Sequence, residues 1–535
     1  MSAMTMITRV LPGASKKATR SEAIEDAANW QRPTSFFRPA PTEFDLITQL
    51  TYMSALATAN VGREQLFEKT AELGYSTSGY FHRIHLVAQK LNYDYARACQ
   101  LVADATDNDM IESLLLRFSA SLASGEAETV FLARETEVQL ETYARKYERD
   151  LETLQKWTDS FVALMVSVTL IVVVSMVSMM IYSVGTFFIL GLATVMIGIA
   201  SMGGWVIYRT SPVEPKTHKL HQKSPTQNQM FLLAKVLLPV AALLGIGTAL
   251  VFNAGAGMIA AAVTIAPVGA MAFVDDKKVD RYDKDMSTFL RALGSIVGAI
   301  GTTVTDGLGR MNQRSLGTLE QNVRRLHVRL RSGIKPDLCW TRFVTETGSE
   351  LVDRSVSTFW DTIKLGGDPD SIGYLSSLLA LKISLLRESR KLVSQTFMML
   401  MIPLHAVLLG VLLFVSEVIV VFAGQLNAVQ QQAAASTTDP SLTGGTDVTS
   451  VLTFASPNVA FIHGFALVVT LVLTFVNTWA PHASAGGHHH KVWLYAAIMM
   501  LISGLALMFI PWMVHGLFNS VAGDTGITAA PIPEV

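Results

Sequence analysis

FLRALGSIVGAIGTTVTDGL (Phe289–Leu308), CWTRFVTETGSELVDR (Cys339–Arg354), GGDPDSIG (Gly366–Gly373) and LLRESRKL (Leu385–Leu392) mark out one polar helical block, Asp283–Lys391. It is caught between two clusters of membrane-length apolar runs. A hydrophilic bundle of that size hung on spans implies a membrane protein that works mainly on one side of the bilayer. The composition agrees: of 535 residues half are hydrophobic and 16% charged, too apolar for an ordinary soluble enzyme. A formal net charge of -1 argues against bulk nucleic-acid binding. Cys99 and Cys339 fit no metal spacing and read as buried reduced thiols.

The chain reads as all-α throughout. Residues 1–42, with Lys16, Lys17, Arg20 and the Pro-rich RPTSFFRPAP (Arg32–Pro41), hold no apolar core fit for a signal peptide and read as a flexible cytoplasmic arm. Residues 43–157 carry apolar positions at helical spacing (Phe44, Ile47, Leu50), breaks at Asn60-Val61-Gly62 and Ser124-Gly125, and a closing charged helix, which together predict a first helical bundle. Residues 158–275 hold four spans in two hairpins, Phe161–Tyr182 with Thr186–Tyr208 and Phe231–Asn253 with Gly255–Val274, each long enough for about 30 Å of hydrocarbon. Residues 276–395 form a second bundle. Residues 396–535 add Phe397–Gly424, Asn458–Trp479 and Val492–Met513, a polar loop at 425–457 and a tail, for about seven spans in all.

Basic residues set the orientation. Arg209, Lys216, Lys219 and Lys223 crowd one loop and both bundles are rich in Lys and Arg, whereas the loop 425–457 and the tail from His515 have none. The N-terminus and both bundles are therefore expected in the cytoplasm, the loop and the C-terminus outside. The two bundles also read as copies: at an offset of 240–241 residues Cys99 meets Cys339, Phe118 meets Phe359 and Gly125 meets Gly366.

DLITQLTYMSALATANVGREQLFE (Asp45–Glu68) and the four stretches quoted first, taken in order ahead of a span, resemble the type II secretion F / type IV filament platform family, in its archaellum and archaeal-type pilus branch. The resemblance covers about Glu43–Gly424 and, more loosely, the last two spans. It implies tandem secretion-F domains in the cell membrane and a non-enzymatic role in motility or secretion. There the chain would be the base on which pilin- or archaellin-like subunits are assembled into a filament. It further implies a hexameric cytoplasmic secretion ATPase beneath the bundles, a regulatory ATPase-like partner, and a homodimer or small homo-oligomer.

Candidate residues follow from charge placement. Arg310, Arg314, Arg324, Arg325, Arg329 and Arg331, with Lys335 beyond, predict a basic helix over Arg310–Arg331 suited to docking the ATPase, against the readings of a lipid-facing or merely solvated face. Glu417, the lone carboxylate deep in an apolar run, is a candidate contact for a subunit in the membrane or else reaches headgroup water. Gly366, Gly367 and Asp368 read as a helix stop and start, with Gly125 as their counterpart. His488, His489 and His490 are consecutive and cannot all face one metal ion. Pro403 and His405 read as kinking and packing residues. The sequence carries no phosphate-binding loop, HExxH or GxSxG, so no catalytic, cofactor-binding or metal site is expected. A polytopic transporter or receptor is the alternative, but here bundles rather than spans repeat.

Overall fold

The computed structural model describes residues 42–181, 186–218, 220, 222–436 and 459–525. The N-terminal arm up to residue 41, Lys219, most of the polar loop and the last ten residues lie outside that set. Among the described residues the secondary structure is helical, with one isolated bridge, Thr217 to Ser349.

Six helices precede and include the first entry into apolar sequence: α1 (Thr42–Ala57), α2 (Arg63–Glu72), α3 (Ser78–Leu91), α4 (Tyr95–Asp104), α5 (Asp109–Ser124) and α6 (Glu128–Ile181). Then come α7 (Thr186–Thr210), α8 (Pro225–Val251) and α9 (Ala254–Ile300). The polar stretch holds α10 (Val304–Arg310), a 3-10 segment (Gln313–Leu319), α11 (Glu320–Arg331), α12 (Pro336–Thr347) and α13 (Glu350–Lys364). The chain closes with α14 (Pro369–Ser436), α15 (Val459–Ala485) and α16 (Val492–Thr525).

Six of these, α6, α8, α9, α14, α15 and α16, are long and apolar enough to cross a membrane. The seventh expected span falls in α7, a 25-residue helix in which the side chains of residues 186–190, 192 and 193 lie outside the described set. At 54, 47 and 68 residues, α6, α9 and α14 far exceed the roughly 20 residues a span needs. Each therefore continues an apolar span as a polar helix without a break. Leu243, Leu250, Met399 and Phe475 are 68–82% exposed, apolar surface that suits lipid rather than water. The helix order repeats: the N-termini of α2, α3, α4, α5 and α6 recur about 241 residues later in α10, α11, α12, α13 and α14. Gly125 and Gly366, at φ +75° and +88°, close the corresponding helices α5 and α13 in the left-handed region that glycine tolerates.

The contacts divide the chain into two compact units. The first comprises Met1–Tyr143, Leu290–Met311 and Arg354–Leu379. Its heart is α1, in which 14 of 16 residues are buried. Apolar packing comes from Leu46, Leu50, Met53 and Leu56 against Phe67, Phe81, Phe118 and Leu132, with Phe67 stacked on Tyr95 at 4.8 Å and Phe118 on Phe131 at 5.2 Å. A helix buried all round must satisfy its polar side chains internally. Gln49 donates to the Thr70 carbonyl at 2.9 Å and to Ser78 Oγ at 3.0 Å. Asp45 accepts from the Ser76 amide at 2.9 Å and pairs with Arg354 Nη2 at 2.7 Å. The Arg354 guanidinium lies between the Phe44 and Tyr75 rings, 4.4 and 4.3 Å from their centroids. In the same unit Gly294 of α9 faces Gly373 of α14 so closely that a Cβ on Gly294 would come within 2.5 Å of the Pro369 carbonyl.

The second unit comprises Ala144–Phe289, Asn312–Asp353 and Ala380–Val535. Small residues let α9 and α16 meet along their backbones: a Cβ on Gly255 would meet the Gly504 carbonyl at 2.9 Å, and one on Gly269 the Leu494 amide at 2.2 Å. Buried His405 of α14 bonds Ser503 of α16 and Asn477 of α15, each at 2.9 Å, so three apolar helices share one polar knot.

Candidate functional site

The irregular stretch 211–218, which follows α7, folds back on the start of α13. Glu350 donates its amide to the Lys216 carbonyl at 3.0 Å, and His218 donates to the Gly348 carbonyl at 3.4 Å. Gly348 ends α12 at φ +74°, where a Cβ would strike the Gln227 side chain at 2.5 Å. Ser349 then caps α13, accepting from the Leu351 and Val352 amides at 3.1 and 3.2 Å while its hydroxyl donates to Asp283 of α9. The TETGSE portion of the second quoted stretch is thus a turn pinned from both sides.

Asp283 also receives Arg387 of α14, whose Nε bonds Glu214 at 2.6 Å and whose Nη2 bonds the Pro215 carbonyl at 3.2 Å. Asp283 and Glu214 are 1% and 4% exposed, so a single guanidinium holds two buried carboxylates. One turn further, Arg390 donates to the carbonyls of Ser484 and Pro212 at 3.0 and 2.9 Å and to Ser211 Oγ. Lys216 bridges Asp276 and Asp280 at 2.8 and 2.6 Å, and Lys491, at the entry to α16, reaches Asp276 at 3.0 Å. The connector between α15 and α16 presses in through Gly486 and Gly487, at φ +61° and +91°. Side chains there would strike Arg390 and Asp276, 2.6 Å away in each case. These contacts join α9, α14, the entry to α16 and the 211–218 stretch at the polar ends of the spans.

Two histidines border this junction. Burial holds His218 at about 4, with the Lys223 charge lowering it further and backbone oxygens opposing. His488 is likewise held near 4 by burial and by its neighbours His490 and His489. The His488 and His490 rings stack at 5.4 Å and both pack on Phe231.

The basic residues do not form one helix over Arg310–Arg331. Arg310 ends α10, in the first unit. Asn312 caps the 3-10 segment that contains Arg314, and Gly317 (φ 54°, ψ -119°) breaks the path before α11 begins. A glycine in that conformation is not helical, so the periodicity of the arginines spans three separate elements. On α11, Arg329 is spent on Glu346 of α12, which also draws Arg325 at 4.0 Å. Arg324, Arg331 and Lys335 are exposed, beside Val328, Ile334 and Leu338 at 46–61% exposure.

Glu417 is 8% exposed within the protein and has two imidazoles beside it: His463 Nε2 of α15 at 3.5 Å and His515 Nε2 of α16 at 3.8 Å. Gly367 is buried against Ile372 and Thr58, and Asp368 caps α14 by accepting from the Ser371 amide at 3.0 Å. Those hydrogen bonds hold its carboxyl below the usual range.

Sequence reasoning missed the ionic junction and the histidines of Glu417. The LLRESRKL stretch contained Arg387 and Arg390, but their partners lie 93 to 179 residues away. His463 and His515 sit near the same ends of their spans as Glu417, which counting depth along each span would have shown.

No family model matches the chain, and no solved structure does. Two curated proteins do. It is 25% identical to "Flagella accessory protein J" of Methanocaldococcus jannaschii over 360 residues, and 24% identical to "Flagella accessory protein J" of Methanococcus voltae over 366. Each match takes in 64% of this chain and 63% and 62% of the respective relative, so the chain spans somewhat under two thirds of their length. Over that extent the chain is similar to Flagella accessory protein J, in keeping with the family its polar stretches resemble.

Proposed function

We propose that this chain is the membrane platform of an archaellum-type filament machine, coupling a cytoplasmic secretion ATPase to the insertion of pilin- or archaellin-like subunits. One observation carries the reading. TETGSELVDR and LLRESRKL, which set the resemblance, meet at Asp283 where the spans end. A joint of buried, multiply bonded charges is hard to pull apart, because each charge is costly to strip of its partners. Force applied to the polar parts of α9 and α14 would therefore pass into the spans.

In this reading the N-terminus and polar helices are cytoplasmic and the C-terminus is outside, as the basic loops favour. The ATPase docks on the exposed face of α11 and the start of α12, where Arg324, Arg331 and Lys335 flank Val328 and Leu338. Arg329 supports that face through Glu346. Glu417 with its two histidines receives the subunit within the bilayer.

The test replaces Arg324 and Arg325 together by Glu in the native host. Loss of ATPase co-purification and of filaments, with membrane levels of the protein unchanged, is the expected outcome. Normal co-purification and normal filaments would remove the docking face and, with it, the coupling role.

A further inference from the structure

A cavity of about 140 Å³ opens on the second unit between α9, α14 and the start of α16. We propose that it holds the phosphate headgroup of an anionic phospholipid. The proposal needs the chain to lie in a membrane, and stands apart from the platform reading.

Charge comes first. The lining carries six cationic side chains against three carboxylates. The buried lysines and Arg387 are matched by carboxylates, as described above. Arg390 is not: the oxygens that accept from it are neutral. Lys277 is exposed and has no ion-pair partner among the described residues, and Lys391 meets only Asp280, at 3.4 Å. The surplus is thus positive and sits at the rim. A phosphate diester meets it with one negative charge and several acceptor oxygens.

Position comes second. The cavity wall on the apolar side is Phe273 and Met398. Their chain neighbours, Val274 and Met399, are 64% and 78% exposed and belong to the apolar belt. The cationic rim therefore begins within one turn of the surface that faces acyl chains on α9, at Lys277, and about two turns from Met399 on α14, at Lys391. A soluble anion needs no such belt, whereas a lipid must lay its tails along it while its headgroup enters between helices. The volume corresponds to about five waters at roughly 30 Å³ each, enough for a headgroup phosphate and too little for a folded peptide.

The experiment uses the full-length protein in detergent. Binding of phosphatidylglycerol, phosphatidylcholine and inorganic phosphate is followed by native mass spectrometry. Phosphatidylglycerol should be retained and phosphatidylcholine and phosphate should not. Lys277→Ala with Lys391→Ala should weaken retention about thirtyfold, at roughly 1 kcal/mol for each lysine. Lys278→Ala with Arg281→Ala, exposed on the same helix but outside the cavity lining, should leave it unchanged. Equal losses from the two pairs would mean diffuse surface attraction and overturn the site. Competition by inorganic phosphate as effective as that of the lipid would overturn the lipid as occupant. Retention of phosphatidylcholine equal to that of phosphatidylglycerol would overturn both.

Discussion

Arg387 illustrates why the junction is sensitive at a single position. Removing the guanidinium leaves Glu214 and Asp283 buried without a countercharge. Arg387→Met is expected to cost about 3–5 kcal/mol, read as a lowered midpoint of thermal unfolding in detergent. Adding Glu214→Gln and Asp283→Asn should restore much of the loss, which a purely steric defect would not allow. His218 gives the pH dependence of the same region. Its folded value of about 4 lies below the ordinary 6.5, so the folded chain refuses a proton that the unfolded chain accepts. Its contribution is therefore flat above pH 6.5, and stability falls as pH drops from 6.5 to 4, by about 3 kcal/mol at the lower end. Unfolding midpoints measured across that range should decline less steeply in His218→Gln. Glu417 is a third test: Glu417→Gln should leave the protein folded yet reduce filament number, and normal filaments would limit the carboxylate to packing.

Single helices explain what the motif glycines do. Gly294 and Gly373 permit a backbone-to-backbone crossing, so Gly294→Ala must push α14 away and should destabilise by about 1–3 kcal/mol. Gly410, on α14 with nothing within 4 Å of its missing Cβ, is the matched control, and Gly410→Ala should be neutral or slightly stabilising. Helix limits were legible because they depend on neighbours in sequence. The period of Phe44, Ile47 and Leu50 and the stops at Gly62 and Gly125 correspond to α1, α2, α5 and α6. The arginine run from 310 to 331 was misread for the complementary reason. A helical spacing of charges survives a kink at Gly317 unchanged, so spacing alone cannot reveal the break.

For the molecule as a whole, orientation is open to a direct chemical test. Cys99 and Cys339 are buried, and burial raises both thiols above their ordinary range, so the native protein should give little background with a maleimide. Lys335→Cys is expected to react only after the cell is opened, and Asn253→Cys in intact cells. The reverse pattern would invert the topology and defeat any cytoplasmic docking. At this scale the sequence was legible in its apolar lengths, which are additive along the chain. The junction was not, because Glu214, Asp283 and Arg387 acquire meaning only when three distant segments close on each other. The two glycines at 486 and 487 carry a practical corollary. A hydrophilic connector between two spans is where a fluorescent tag or protease site would ordinarily be inserted. Here the backbone itself is wedged against Arg390 and Asp276, so an insertion at that connector should cripple the protein, and reporters belong elsewhere.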